Sequence, residues 1–202
     1  MKKITAIIAF SLVAMTAGAQ VLSFNVGRKY AGYYVSIKGD TVNGFLRYGD
    51  NFESQKRCVY YPNENDNNGV LNFKPEEISS YFVGDKCYRS IHYSGGLLDK
   101  PLRFNLVAKD GGITEFTFYD EDGSRNPDGT PKTEDVFFKA NDPANPKPVT
   151  LQYFGMGFAN KMAAFVADDV ELSKKVAAKE KGYGMLKLLD IIDEYNKWYA
   201  NK

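Results

Sequence analysis

The sequence predicts an α+β fold: a mainly antiparallel β-domain, built as a sandwich or small barrel of about eight or nine strands, followed by a C-terminal helical segment. Three observations carry this. Residues 21–154 fall into short runs of alternating apolar and polar side chains, separated by Gly, Asp and Asn turns. Residues 156–202 change to a spacing of three and four. The composition, 44% hydrophobic and 25% charged over 202 residues, is that of a chain able to bury a core.

Residues 1–19 read as a signal peptide. Lys2 and Lys3 precede an apolar run from Ile4 to Met15, and Ala17-Gly18-Ala19 supplies the small residues a signal peptidase selects. Cleavage leaves Gln20 at the new N-terminus. The run is shorter than the roughly 20 residues a spanning helix needs, and no similar run recurs, so no transmembrane segment is expected after cleavage. No Cys follows the small residues, so a lipoprotein anchor has nothing to be built on. The expected location is periplasmic or extracellular.

Residues 20–155 form the expected β-domain. Residues 33–38 and 41–48 alternate on either side of Gly39-Asp40, and residues 80–83 and 86–91 flank Gly84-Asp85. Gly at the first central position suits a type II′ turn, whose twist matches that of paired strands. A third hairpin joins residues 102–108 to 113–119 through Asp110-Gly111-Gly112, and shorter strands are expected at 58–61, 135–139 and 149–154. Residues 63–69 and 120–132 are polar loops.

Residues 156–202 are expected as helices packed on the same domain. Phe158, Met162, Phe165 and Val166 share one face; Leu172 and Val176 share another; Gly182 marks a stop. In the last helix Met185, Leu188, Leu189, Ile192, Tyr195 and Tyr199 form an apolar stripe, with Ile191 and Trp198 lying off it.

The chemistry excluded is broad. With 26 Lys plus Arg against 25 Asp plus Glu, the net charge is +1, or −1 once Lys2 and Lys3 are removed, and no nucleic-acid partner is expected. His92 is the single histidine, no Gly-x-Ser-x-Gly elbow is present, and no phosphate loop or dinucleotide fingerprint occurs. The Asp-rich segment from Asp120 fails the calcium-loop pattern, since Arg125 stands where the turn glycine belongs and Pro131 where the closing glutamate belongs. Glu76-Glu77 and Asp168-Asp169 read as helix starts. No catalytic residue, metal or cofactor is assigned.

Two sets of residues remain as candidates. Cys58 and Cys87 would form a disulfide closing a loop of about 30 residues, provided their α-carbons approach within about 7 Å. Tyr30, Tyr33, Tyr34, Tyr60, Tyr61 and Trp198 are candidates for a binding face, the other use of such clusters being cross-strand packing.

Gly32-Tyr33-Tyr34-Val35-Ser36-Ile37-Lys38-Gly39-Asp40-Thr41-Val42-Asn43-Gly44, Pro75-Glu76-Glu77-Ile78-Ser79-Ser80-Tyr81 and the ending Glu194-Tyr195-Asn196 resemble an uncharacterised exported protein family of Bacteroidota. The resemblance spans nearly all of the mature chain and implies an exported envelope or surface protein, with no catalytic residues to transfer. Asp40-Thr41-Val42 also resembles the short O-glycosylation acceptor of that lineage. The helical ending differs from the β-sandwich sorting domain of its secretion cargo, which favours the periplasm. The expected role is a non-enzymatic module that binds a protein partner in the envelope. The alternative is a carbohydrate or lipid binder with a cavity of several hundred Å³.

Overall fold

The computed structural model describes residues 23–92, 94–95, 98–99, 101–120, 125–140, 142, 145 and 147–202. The first hairpin joins β1 (Lys29–Ser36) to β2 (Thr41–Arg47), with Tyr33 opposite Asn43. Its turn is wider than the expected two-residue one. Gly39 takes a left-handed φ of 94° and its N–H donates to the Ser36 carbonyl, while the Ser36 hydroxyl accepts from the N–H groups of Lys38 and Asp40. A serine side chain competing for backbone donors sets this loop, and the Gly-Asp pair does not reveal it.

β2 leads into α1 (Asn51–Lys56), a helix too short to display a 3.6-residue period. Asp50 caps it by accepting from the Glu53 N–H at 2.8 Å. Then come β3 (Cys58–Tyr61), β4 (Leu71–Phe73), β5 (Ile78–Val83) and β6 (Lys86–Ile91). Between β5 and β6, Gly84-Asp85 makes the expected two-residue turn: Val83 pairs with Lys86 and Gly84 has φ 64°. The remaining strands are β7 (Ser94–Gly95), β8 (Leu98–Asp99), β9 (Arg103–Lys109), β10 (Ile113–Tyr119), β11 (Thr133–Lys139) and β12 (Val149–Thr150).

The order β4-β3-β2-β1-β5-β6-β9-β10-β11-β12 is a ten-strand antiparallel run that does not close. β7 and β8 extend it beyond β12 through a parallel bridge between Ser94 and Val149. The fold is α+β and mainly antiparallel, with a C-terminal helical segment, as the sequence predicts. The barrel alternative gives way to an open sheet, and strands as short as β4 and β12 escape a period-two reading. Only Val149 and Thr150 of the strand expected at 149–154 are extended; the chain then turns into α2 (Leu151–Gly155).

α1 follows β2 yet packs on β9 and β10, so the sheet curls around it. Gln55 is fully buried and grips Tyr119 from both sides: its Nε2 donates to the Tyr119 carbonyl at 2.9 Å and its Oε1 accepts from the Tyr119 N–H at 2.5 Å. Tyr81 donates its hydroxyl to the Ser54 carbonyl at 2.7 Å. The core beside α1 holds Leu46, Tyr48, Cys58, Tyr60, Ile78, Tyr81, Tyr88 and Phe104.

α2, α3 (Phe158–Phe165), α4 (Val170–Ala177) and α5 (Leu188–Ala200) share a second core with the sheet, to which Ile113, Phe137 and Val149 contribute. Met162, Phe165, Val166, Leu172 and Val176 are buried there, in keeping with the spacing read from the sequence. Asp169 caps α4, accepting from the Leu172 N–H at 3.1 Å. The stripe of α5 is rotated from the expected one. Leu188, Ile191, Ile192 and Tyr195 are buried, Trp198 packs beside them, and Met185, Leu189 and Tyr199 remain exposed. The rotation follows from how α5 is pinned: Asn196 Oδ1 accepts from the Ile113 N–H at 2.8 Å and its Nδ2 donates to the Ile113 carbonyl at 2.9 Å. A side chain on Gly112 would collide with the Tyr199 ring, its Cβ coming 2.5 Å from that residue. Among the described residues no helix is long and apolar enough to cross a membrane.

Cys58 and Cys87 are both free. They lie on β3 and β6, with β2, β1 and β5 between them, so the disulfide considered from their spacing is not formed. Alternation also separates them by face, since Cys58 joins the core that holds Tyr88, the residue next to Cys87. Burial pushes both thiols up.

Candidate functional site

The tyrosines singled out by sequence do not share one face. Tyr30, Tyr34 and Tyr60 turn toward the core. Tyr30 stands edge-on to Phe24 and Tyr48, at 4.9 and 5.9 Å between centroids, and Tyr34 edge-on to Tyr60 at 5.0 Å. The Tyr60 hydroxyl donates to the Asn43 carbonyl at 3.0 Å. Tyr33 and Tyr61 take the opposite face by strand alternation. There Tyr33 stacks on Phe82 at 5.7 Å, and Tyr61 lies under the Lys29 ammonium at 4.0 Å. Trp198 leans on Tyr195 at 5.5 Å. These contacts are the cross-strand and helix-packing use of aromatic residues.

His92 follows β6 and is half-buried. Of the Asp-rich segment from Asp120, residues 121–124 lie outside the described residues, and Arg125 spends a guanidinium N–H on the Gly129 carbonyl at 2.8 Å. Among the described residues no group of three His, Cys, Asp or Glu is placed to hold a metal ion. One polar groove of about 580 Å³ runs beside the start of β11, past Asp120, Lys132, Glu134 and Asp135.

A different groove, of about 590 Å³, opens in the helical layer. One wall is the start of α3, with Gly157, Phe158 and Asn160; the other is the connection after α4, with Lys179, Glu180, Gly182, Tyr183 and Gly184. The backbone makes the recess. Gly157 and Gly182 have φ of 72° and 96°, turns that a side chain would strain. α4 ends in a Schellman motif, the Glu180 N–H donating to the Lys175 carbonyl and the Lys179 N–H to the Val176 carbonyl. Lys179 fills its left-handed position at φ 55°, where glycine is the usual occupant.

The aromatic wall is held in place. Tyr183 donates its hydroxyl to Glu194 Oε2 at 3.0 Å, Glu194 Oε1 accepts from Lys175 Nζ at 3.0 Å, and that ammonium lies 5.4 Å from the Tyr183 ring centre. The hydrogen bond from Lys175 to Glu194 raises the lysine above its ordinary value. Glu194, part of the Glu194-Tyr195-Asn196 ending, thus positions a groove residue, while Tyr195 donates to Asp168 Oδ2 at 2.7 Å and Asn196 holds the sheet.

The chain flanking the groove is apolar and exposed. Met156, next to Gly157, is 85% exposed; Leu186, two residues past Gly184, is fully exposed; Met185 and Leu189 are exposed as well. Lys179, Glu180 and Lys181 make no side-chain hydrogen bond or ion pair with the described residues. Sequence periodicity missed this site because Phe158 reads as part of the apolar face of α3, and the opposite wall, residues 179–184, lies in the connection after α4, where no period runs. The available signal was two triplets, Gly155-Met156-Gly157 and Gly182-Tyr183-Gly184, each setting a large side chain between glycines. No family model matches the chain, and neither a curated protein nor a solved structure does.

Proposed function

We propose that this protein is an exported, non-enzymatic envelope or surface protein that acts as a protein-interaction module, with the groove between α3 and the α4–α5 connection as its contact site. The observation that carries the reading is the exposed apolar side chains on the segments that lead into the recess: Met156 directly precedes Gly157, and Met185, Leu186 and Leu189 follow Gly184, while Phe158 and Tyr183 line the recess itself. Clustered exposed apolar side chains around a recess mark contact sites, whereas single ones do not. Lys179 adds support, since a left-handed non-glycine residue carries a conformational cost and this one lines the groove. The signal-peptide pattern at residues 1–19 and the resemblance to exported proteins of Bacteroidota support the location.

A second reading, a carbohydrate or lipid binder, draws on the same groove: a volume of about 590 Å³ with two aromatic walls matches small-ligand pockets. Affinity capture from crosslinked native envelopes, run with wild type and Leu186→Glu and alongside glycan and lipid binding assays, separates the two. The interaction module is supported by a stoichiometric protein partner lost with Leu186→Glu. Saturable glycan or lipid binding that weakens with Tyr183→Ala, with no protein partner, would replace it by the second reading.

A further inference from the structure

We infer that Asn68, in the loop between β3 and β4, is a site of spontaneous covalent modification: it loses its side-chain amide through a succinimide formed with Gly69, while the sheet protects the other Asn-Gly pair, Asn43-Gly44. The inference is independent of the groove. The Gly69 backbone nitrogen gives up its proton to solvent base and attacks Asn68 Cγ. The new C–N bond closes the succinimide ring, and the side-chain nitrogen leaves as ammonia. Water then opens the ring at either carbonyl, leaving aspartate or isoaspartate. One amide becomes one carboxylate, water is the only co-reactant, and nothing is oxidised or reduced. Glycine permits the attack because it has no Cβ to crowd the approaching nitrogen, and carrying both groups on adjacent residues makes the step unimolecular.

Asn-Gly occurs twice in the chain, and the fold treats the two differently. Gly44 lies in β2 opposite Gly32 of β1. The Ser36 N–H donates to the Asp40 carbonyl at one end of this ladder and the Tyr48 N–H to the Arg28 carbonyl at the other, each at 2.8 Å. Antiparallel ladders alternate bonded and non-bonded pairs, so Gly32 and Gly44 form a bonded pair and the Gly44 N–H is committed to β1. The Asn43 carbonyl is held as well, accepting from the Tyr60 hydroxyl at 3.0 Å. Asn68 and Gly69, by contrast, are exposed and lie in a turn outside any strand, Gly69 having φ 72°. No described residue accepts a hydrogen bond from the Gly69 N–H. The loop before them is anchored, since the Lys29 ammonium donates to the Glu64 carbonyl and to Asn67 Oδ1, both at 2.9 Å. The nucleophile that the sheet ties up at position 44 is thus free at position 69. Because the Asn68 N–H donates to Asp66 Oδ1 at 2.8 Å, the product sets a second carboxylate close to Asp66.

The test is peptide-mapping mass spectrometry of the folded protein aged at neutral to mildly alkaline pH in heavy-oxygen water, so that the incorporated label marks ring opening. The Asn68 peptide is expected to gain label as a mixture of aspartate and isoaspartate. Asn43 is expected to react about tenfold more slowly or less, because attack there first requires a ladder hydrogen bond to break and the strand to open. In denaturant the gap between the two sites is expected to close, which identifies the sheet as its source. Equal rates at Asn43 and Asn68 in the folded protein, or an Asn68 that reacts only after unfolding, would overturn the inference. So would a product that is aspartate alone, since direct hydrolysis of the amide yields no isoaspartate, and so would a gap that persists in denaturant.

Discussion

At Lys179 the chain adopts a conformation in which an L side chain crowds the following carbonyl, a strain of roughly 1–2 kcal/mol that glycine avoids. Glycine gives back part of that gain through the entropy of the unfolded chain. Lys179→Gly is therefore expected to stabilise the protein by roughly 0.5–1 kcal/mol while weakening groove contacts. A chemical denaturation midpoint that is unchanged or lower would remove the strain argument. The same scale explains much of what the sequence hid. Tyr30 and Tyr33 look alike in a strand, yet one enters the core and the other stacks outward on Phe82; alternation puts them on opposite faces, and which face is buried is decided by what packs on it from distant parts of the chain. Cys58 and Cys87 likewise read as a pair until the strand order separates them.

At the scale of elements, two amide side chains join parts distant in sequence. Gln55 ties α1 to β10 and Asn196 ties α5 to the start of β10, each making both a donor and an acceptor bond to a backbone residue. Replacing Gln55 by Ala leaves Tyr119 backbone groups unmatched beside a buried site, at an expected cost of about 1–3 kcal/mol. Asn196→Ala is expected to cost a similar amount and to speed amide exchange at Ile113, whereas a local effect on α5 alone would leave that exchange unchanged. The hairpins and the apolar faces of α3 and α4 were legible because their periods run long enough to register. α1 was not, although Asp50 and Glu53 have the spacing of a capping box, and neither was the rotation of α5, which Asn196 fixes through a contact between distant segments.

At the scale of the whole molecule, sheet and helices share a core through Ile113, Phe137 and Val149, so they are expected to unfold in one transition. Carboxylates of two kinds tune that transition with pH. Burial pushes Asp168 up, but hydrogen bonds from Lys139 and Tyr195 outweigh it and hold it below the ordinary aspartate value. Asp110 is likewise pushed up by burial and held low by Arg89 and Thr114. Their contribution is present above the ordinary carboxylate value and is lost as pH falls through the lowered one. Burial, with the Asp135 and Asp193 charges, raises Glu115, and burial raises Asp135. These two favour the fold when protonated, and that contribution is lost as pH rises through their raised values. Melting temperature is thus expected to rise on mild acidification and then fall. Glu115→Gln is expected to raise it at neutral pH, with the gap to wild type closing in acid; a constant gap would exclude the titration of Glu115 as its source.

The groove in the helical layer is the contact surface proposed for this protein. The most direct measurement places a photo-crosslinking amino acid at position 186 in cells, with position 33 on the outer sheet face as control. A discrete crosslinked protein species at 186 and none at 33 is the expected result. Crosslinking at 33 alone, or at neither position, would contradict the claim.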